Sequence, residues 1–224
     1  MLKPMKILLP KAQSKTKDFL CCENWTVPLE SQRFLLLVGG SKSGKSALAE
    51  DWSQEAAERF SAPLIYLATM EAGNDPENLE RIARHRRQRA GKGFRDVEKA
   101  RDLLELGSEI PLGAVILLEC LGNLAANELF RENLQEATEL SVEKLKLKIL
   151  SDLDGLMQRC RLLILVSNDV SSDILDYDAG TKLWIRLMGA LHAALAERRD
   201  GLCCEVTAGF PLLISPLQGI KEEV

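Results

Sequence analysis

The residues best suited to chemistry form one short run, Gly39-Gly40-Ser41-Lys42-Ser43-Gly44-Lys45-Ser46. Within it, Gly39, Gly44, Lys45 and Ser46 meet the spacing G-x-x-x-x-G-K-[ST]. Glycines at both ends let the backbone curl until successive N–H groups converge, an arrangement that suits phosphate oxygens. A lysine directly after the second glycine brings its charge to the β- and γ-phosphates of a nucleoside triphosphate, and the next serine offers a hydroxyl to Mg²⁺. Such a site also needs an acid at the end of a neighbouring strand. Glu119 follows the apolar run Ala114 to Leu118 and stands at that point; its other reading is a cap for the next helix. Asp169, after the run Leu162 to Val166, is the second candidate for the acid.

A second constellation is basic. Arg81, Arg84, Arg86, Arg87, Arg89, Lys92 and Arg95 crowd one stretch around His85. One reading is a solvated helix face. The other is a clamp for a triphosphate, because guanidinium forks match phosphate oxygens bidentately. A nucleic-acid patch fits less well, since Phe94 is the one aromatic residue nearby and single-strand binding relies on stacked aromatics. His85 is either an incidental surface residue or a nucleophile. Neighbouring arginines favour its neutral imidazole, whose lone pair is competent to attack an α-phosphate and form a covalent nucleotidyl intermediate. The other histidine, His192, lies on an apolar helical face.

These groups need a scaffold that holds loops at strand ends. From Phe34 onward, apolar strand-like runs alternate with helical patterns, which predicts a mainly parallel sheet with crossover helices. The runs are 34–38, 64–68, 114–118 and 162–166, and the first is apolar throughout, as a strand covered on both faces is. Leu48, Trp52, Ala56 and Phe60 recur every four residues and predict a helix directly after the glycine-rich loop. Asp75-Pro76-Glu77 reads as a helix start running to about Arg89. Further helices are predicted from about 142 to 160 and along Leu183, Leu187, Leu191 and Leu195. The chain closes with two strands, 205–208 and 212–214, about the turn signal Gly209-Phe210-Pro211. The expected fold is α/β and P-loop NTPase-like (RecA-like): a mainly parallel sheet flanked by helices, with an antiparallel strand pair near the C-terminus. Residues 1–32 read as an extension, with short strands near Phe19 to Cys22 and Trp25, ahead of one domain spanning 33–224.

Composition narrows the partners. The chain has 224 residues, 46% hydrophobic and 28% charged, enough for one full core. Its net charge of −4 supplies no global attraction to nucleic acid or anionic membranes. No apolar run approaches the roughly 20 residues that span a bilayer, and residues 1–10 do not form a secretion signal; a cytoplasmic protein is expected. The six cysteines, Cys21, Cys22, Cys120, Cys160, Cys203 and Cys204, match no zinc or redox spacing and read as buried reduced thiols.

Taken in order, several short segments resemble one family. They are the Gly39–Ser46 loop, Tyr66-Leu67-Ala68-Thr69, Arg81-Ile82-Ala83-Arg84-His85 with Arg89, and Gly93-Phe94-Arg95-Asp96-Val97-Glu98. They continue with Leu117-Leu118-Glu119-Cys120-Leu121 and Asn127, Val166-Ser167-Asn168-Asp169-Val170, and Gly209-Phe210-Pro211-Leu212. Over about residues 34–215 the chain resembles the bifunctional adenosylcobinamide kinase / adenosylcobinamide-phosphate guanylyltransferase family of cobalamin biosynthesis. The resemblance implies phosphorylation of adenosylcobinamide by ATP or GTP, followed by GMP transfer from GTP through a guanylylated His85, with Lys45 as the second catalytic residue. It implies GTP contacts at Gly39–Ser46, Thr69, Met70, Glu71, Arg86, Arg87, Gln88, Arg89, Glu98 and Glu119, and Mg²⁺ on Ser46 and Glu119. It also implies a homo-oligomer, typically a trimer, acting on a corrinoid, with no nucleic-acid partner and no membrane span.

Departures fall on one region. Ser171 to Asp176 replaces the family's Gly-x-Gly-Ile-Val-Pro run, and Ile185-Arg186 and His192-Ala193 stand where the family carries Arg-Asp and Asn-Gln. Two alternatives therefore stay open: a kinase that has lost guanylyl transfer, and a diverged P-loop nucleotide-binding protein.

Overall fold

The computed structural model describes residues 19–22, 25–28, 32–71, 79, 80, 83, 86, 87, 89–131, 139–169 and 177–213. Several expectations fall outside the described residues: the helix start at Asp75-Pro76-Glu77, Arg81, Ile82, Arg84, His85, Gln88, the 171–176 departure, Ile214, and the side chains of Cys21 and Cys22.

Two short strands, β1 (Phe19–Cys22) and β2 (Trp25–Pro28), pair antiparallel and form a ribbon of their own. The main sheet contains β3 (Phe34–Gly39), β4 (Leu64–Ala68), β5 (Arg95–Glu98), β6 (Val115–Glu119), β7 (Leu162–Asn168), β8 (Gly201–Thr207) and β9 (Phe210–Leu213). Its order is β5-β4-β6-β7-β3-β8-β9. Every pairing is parallel except β8 with β9. The parallel sheet and its terminal antiparallel pair are those expected from the sequence.

The apolar runs dictate this arrangement, because a strand with no polar face must be covered twice. Helix α1 (Lys45–Phe60) packs Leu48, Trp52 and Ala56 on Leu35, Leu37, Leu117 and Ile164. The intervening residues, among them Leu36, Ile116, Leu118 and Leu165, face the opposite layer of α2 (Leu121–Leu129), α3 (Glu139–Arg159) and α4 (Ala179–Ala196). A 3₁₀ segment, Leu103–Glu109, completes that layer with Leu103 and Leu106 buried.

Three elements went unread in the sequence. Strand β5 reads Arg-Asp-Val-Glu and buries only Val97, so it carries no apolar run to betray it. Helix α2 is short, and its N-cap is the Cys120 sulfur accepting from the Asn123 N–H at 3.4 Å. The 3₁₀ segment lacks the 3.6-residue period that marks a helix. Among the described residues no helix is long and apolar enough to cross a membrane.

Candidate functional site

All parallel strands end at one edge, and the chemistry-bearing residues collect there, where open α/β sheets bind ligands. In register, Glu98 and Glu119 both pair with Ala68, and Glu119 pairs with Val166. The glycine-rich loop leaves the same edge from β3.

The loop's shape depends on its two outer glycines. A Cβ on Gly39 would lie 2.5 Å from the Val206 carbonyl oxygen, so the β8 backbone leaves no room for any side chain. Gly44 has φ 90°, a region that L residues rarely adopt, and a Cβ there would lie 2.9 Å from Gly209 Cα. The β8–β9 hairpin makes that contact: its turn residues Ala208 and Gly209 both have positive φ, the demand of the tight turns that match sheet twist. Gly209 donates its N–H to the Ser43 carbonyl at 2.7 Å. The C-terminal hairpin therefore buttresses the loop from outside.

Inside the loop, Lys45 is buried and donates from Nζ to the Gly40 carbonyl at 3.0 Å. Burial holds this ammonium below the ordinary lysine range, opposed by Cys120 and Glu119. The Ser43 hydroxyl is buried with no hydrogen-bond partner among the described residues. Because a buried hydroxyl normally finds a partner, Ser43 presents an unused donor to the cradle. Ser41 and Lys42 are exposed, and Lys42 has φ 60°.

Glu119, the last residue of β6, holds two hydrogen bonds. Its Oε1 accepts from the Ser46 hydroxyl at 2.6 Å, and its Oε2 accepts from the Tyr66 hydroxyl at 3.1 Å. The strand order explains why a residue two strands from the loop is reached: α1 passes over β7 to lie against β6, which carries Ser46 to the end of that strand. Burial and the Glu119 charge push the Tyr66 phenol far above its usual range, so it acts as a fixed donor. Asp169 lies elsewhere. Its N–H donates to the Gly39 carbonyl at 3.0 Å, and its side chain lines a cavity beneath α4.

The basic constellation divides. Arg89 is 6% exposed and stacks over the Tyr66 ring at 3.3 Å, and its Nη2 meets Asp96 Oδ2 at 3.3 Å. Its Nε and Nη1 are buried without a hydrogen-bond partner among the described residues. Arg86 is exposed and ion-paired with Glu98, and Arg87 is exposed. Lys92 ties the segment to α1 through Glu50, at 2.6 Å. Thus Arg89, Tyr66, Glu119 and Ser46 form a continuous chain of contacts from the arginine-rich segment to the loop.

The end of β4 holds a different kind of residue. Thr69 is fully buried, its hydroxyl donating to the Cys120 carbonyl at 2.8 Å and its N–H to the Glu119 carbonyl at 3.1 Å. Asn127 grips the same turn, donating to the Thr69 and Ala100 carbonyls at 2.7 and 3.1 Å. The Thr69 side chain therefore fixes the ends of β4 and β6 to each other. Met70 is half-buried, and exposed Glu71 pairs with Arg101.

Residue type alone gives no role to Tyr66. The available signal was a phenol inside an otherwise apolar strand, since a buried tyrosine hydroxyl usually has a partner.

Fold and loop together define a protein of the P-loop class. The sequence pattern of the cobinamide kinase / cobinamide phosphate guanyltransferase family matches residues 35–214, and the chain belongs to that family. It is 33% identical over 185 residues to CobP of Pseudomonas aeruginosa, a bifunctional adenosylcobalamin biosynthesis protein, covering 82% of this chain and 96% of that one. Among solved structures it is similar to the ATPase domain of G40P, with TM-score 0.43 and 14% identity over 78% of this chain and 69% of that one. It is also similar to the flagellar accessory protein FlaH of Methanocaldococcus jannaschii, with TM-score 0.40 and 13% identity over 81% and 77%.

Proposed function

We propose that the protein phosphorylates adenosylcobinamide and then transfers GMP from GTP to the resulting phosphate. The observation that carries this reading is the Ser46–Glu119 pair at the mouth of a loop with an unused buried donor, in a chain of this family. A polyphosphate lies along the N–H groups of Gly39 to Ser46, at the positive end of α1, and Lys45 exchanges the Gly40 carbonyl for a phosphate oxygen. Thr69, Met70, Glu71, Arg86, Arg87, Gln88, Arg89 and Glu98 are the contacts proposed for the rest of the nucleotide.

The residues present suit Mg²⁺. Ser46 and Glu119 are hard oxygen donors brought together at one point, and this ion uses few protein ligands beside water and phosphate. Bound there, it would neutralise charge on the phosphates. Tyr66 keeps the Glu119 carboxylate oriented, and Arg89 holds the Tyr66 ring in place.

In the first step the acceptor hydroxyl oxygen bonds to the γ-phosphorus and gives up its proton to solvent, the bond to the β-phosphate oxygen breaks, and a nucleoside diphosphate departs. In the second, an imidazole nitrogen of His85 attacks the α-phosphorus of GTP and releases pyrophosphate. The acceptor's phosphate then displaces the histidine, leaving a GDP-linked product. Both steps draw on one charge-stabilising cradle.

The test is a steady-state assay with adenosylcobinamide and GTP that resolves the two products. Successive appearance of the phosphorylated and GDP-linked forms is expected. Phosphorylation alone identifies a kinase without guanylyl transfer, and turnover of neither form refutes the reading.

A further inference from the structure

On the sheet face opposite α1, a cavity of about 460 Å³ lies between α4 and strands β3 and β8. The sheet register explains its lining. Val38 pairs with Ser167 on one side and Glu205 on the other. Residues paired across parallel strands point to the same face, so all three stand in one row beneath α4. Leu36 and Cys203, paired with each other two residues earlier, make an apolar floor. The helix contributes His192 and two alanines, Ala193 and Ala196, whose small side chains leave the space open. Asp169 closes the end nearest the phosphate loop, where its N–H donates to the Gly39 carbonyl at 3.0 Å. Cavity and cradle therefore share a wall.

Their charges are opposite. The cradle offers Lys45 and a converging set of N–H groups. The cavity offers Asp169 and Glu205, with no cation in its described lining. His192 lies 2.7 Å from the Ser167 hydroxyl, which is fully buried, and this contact fixes the imidazole ring. Burial lowers the His192 pKa against the opposing charge of Asp169, so the ring is neutral at pH 7. The groups that face it are Asp169 beyond β7 and Cys203 and Glu205 on β8; the Cys203 thiol is pushed up to about 11 by burial and is also neutral. A polyphosphate is repelled by such a lining. What suits it is an uncharged ligand carrying hydroxyl and amide donors on a short hydrocarbon arm, and the volume admits an arm more readily than a macrocycle.

We infer that this cavity is the acceptor's recess: it takes the hydroxyl- and amide-bearing arm of the corrinoid, with His192 and the two carboxylates recognising its donors. The inference rests on the kinase and guanylyltransferase reading and adds to it a location for the second reactant. In the phosphorylation step a neutral hydroxyl-bearing arm and an anionic nucleotide then meet at the shared wall. It also gives a purpose to the His192-Ala193 departure: the imidazole supplies recognition and the alanine supplies room.

The test uses the full chain with GTP and adenosylcobinamide, measuring acceptor KM, kcat, and the Kd of a fluorescent GTP analogue. Ala193→Leu fills the cavity from an exposed helical position. It is expected to raise acceptor KM at least tenfold, with nucleotide Kd unchanged within twofold. Glu205→Gln is expected to raise acceptor KM several-fold with the same nucleotide affinity, and it decides the matter if Ala193→Leu proves unstable to urea. If the unaltered protein turns over and both variants keep its acceptor KM, the recess is wrong. Equal weakening of acceptor and nucleotide would also overturn it. Absence of turnover in the unaltered protein would instead defeat the reading on which the inference stands.

Discussion

Replacing Tyr66 by Phe isolates one hydrogen bond in the chain of contacts between the arginine-rich segment and the loop. The ring remains, so the Arg89 stack at 3.3 Å and the edge contact with Phe94 at 6.0 Å are retained. What is lost is the donor 3.1 Å from Glu119 Oε2. A hydrogen bond to a charged group contributes about 1.5–3 kcal/mol. Glu119 is only half-buried and keeps its bond from Ser46, so water replaces part of the loss and the lower end applies. Urea denaturation should therefore show a destabilisation of about 1.5 kcal/mol. A carboxylate freed at one oxygen is also less well prepared to hold Mg²⁺ beside Ser46. If about 1 kcal/mol of that orientation is lost, the Mg²⁺ concentration giving half-maximal binding of a fluorescent GTP analogue rises roughly fivefold. Binding measured in excess EDTA should barely change. A variant matching the unaltered protein in both stability and Mg²⁺ requirement would refute the coupling of Tyr66 to the metal-binding pair.

Gly44→Ala forces a side chain onto a φ of 90° and against Gly209 Cα; a cost of about 2 kcal/mol is expected, with nucleotide Kd raised tenfold or more by titration. Wild-type affinity there would mean that the cradle does not depend on this conformation. His192 has a lowered folded pKa, so the unfolded chain binds more protons below about pH 6.5 and its contribution to stability falls as pH drops through that window. His192→Asn should flatten that part of the urea-midpoint profile between pH 5 and 8, and an unchanged slope would count against the burial of the ring. Burial pushes Cys160 and Cys204 up to about 12, leaving a thiolate fraction of about 10⁻⁴ at pH 8. Both should resist a disulfide reagent until the protein unfolds, and rapid native-state labelling of either would contradict their placement.

Much of the fold was legible because parallel strands announce themselves. The runs that became β3, β6 and β7 are apolar throughout and that of β4 is apolar but for Tyr66, and the loop motif between β3 and α1 reads directly from spacing. Strand order was not legible, and it decides how the site closes: β7 lies between the strand that carries the loop and the strand that carries Glu119. The buried polar chain was equally hidden. Arg89, Tyr66 and Glu119 are far apart in sequence, and nothing local to any of them reveals that a guanidinium covers a phenol that holds a carboxylate. Thr69 is a nucleotide contact by the family resemblance, and nothing local to it reveals that its hydroxyl also donates to the Cys120 carbonyl, a bond set by the ends of two adjacent strands. His192 likewise looked like part of an apolar helical face until the register of β7 set Ser167 beneath it.

The most direct test of the account is incubation of the protein with GTP labelled at its α-phosphate. One acid-labile, base-stable guanylyl group per chain is expected, absent from His85→Ala and strongly reduced in Lys45→Ala. A protein that never acquires the label, or one labelled equally without the His85 imidazole, would contradict guanylyl transfer through that residue.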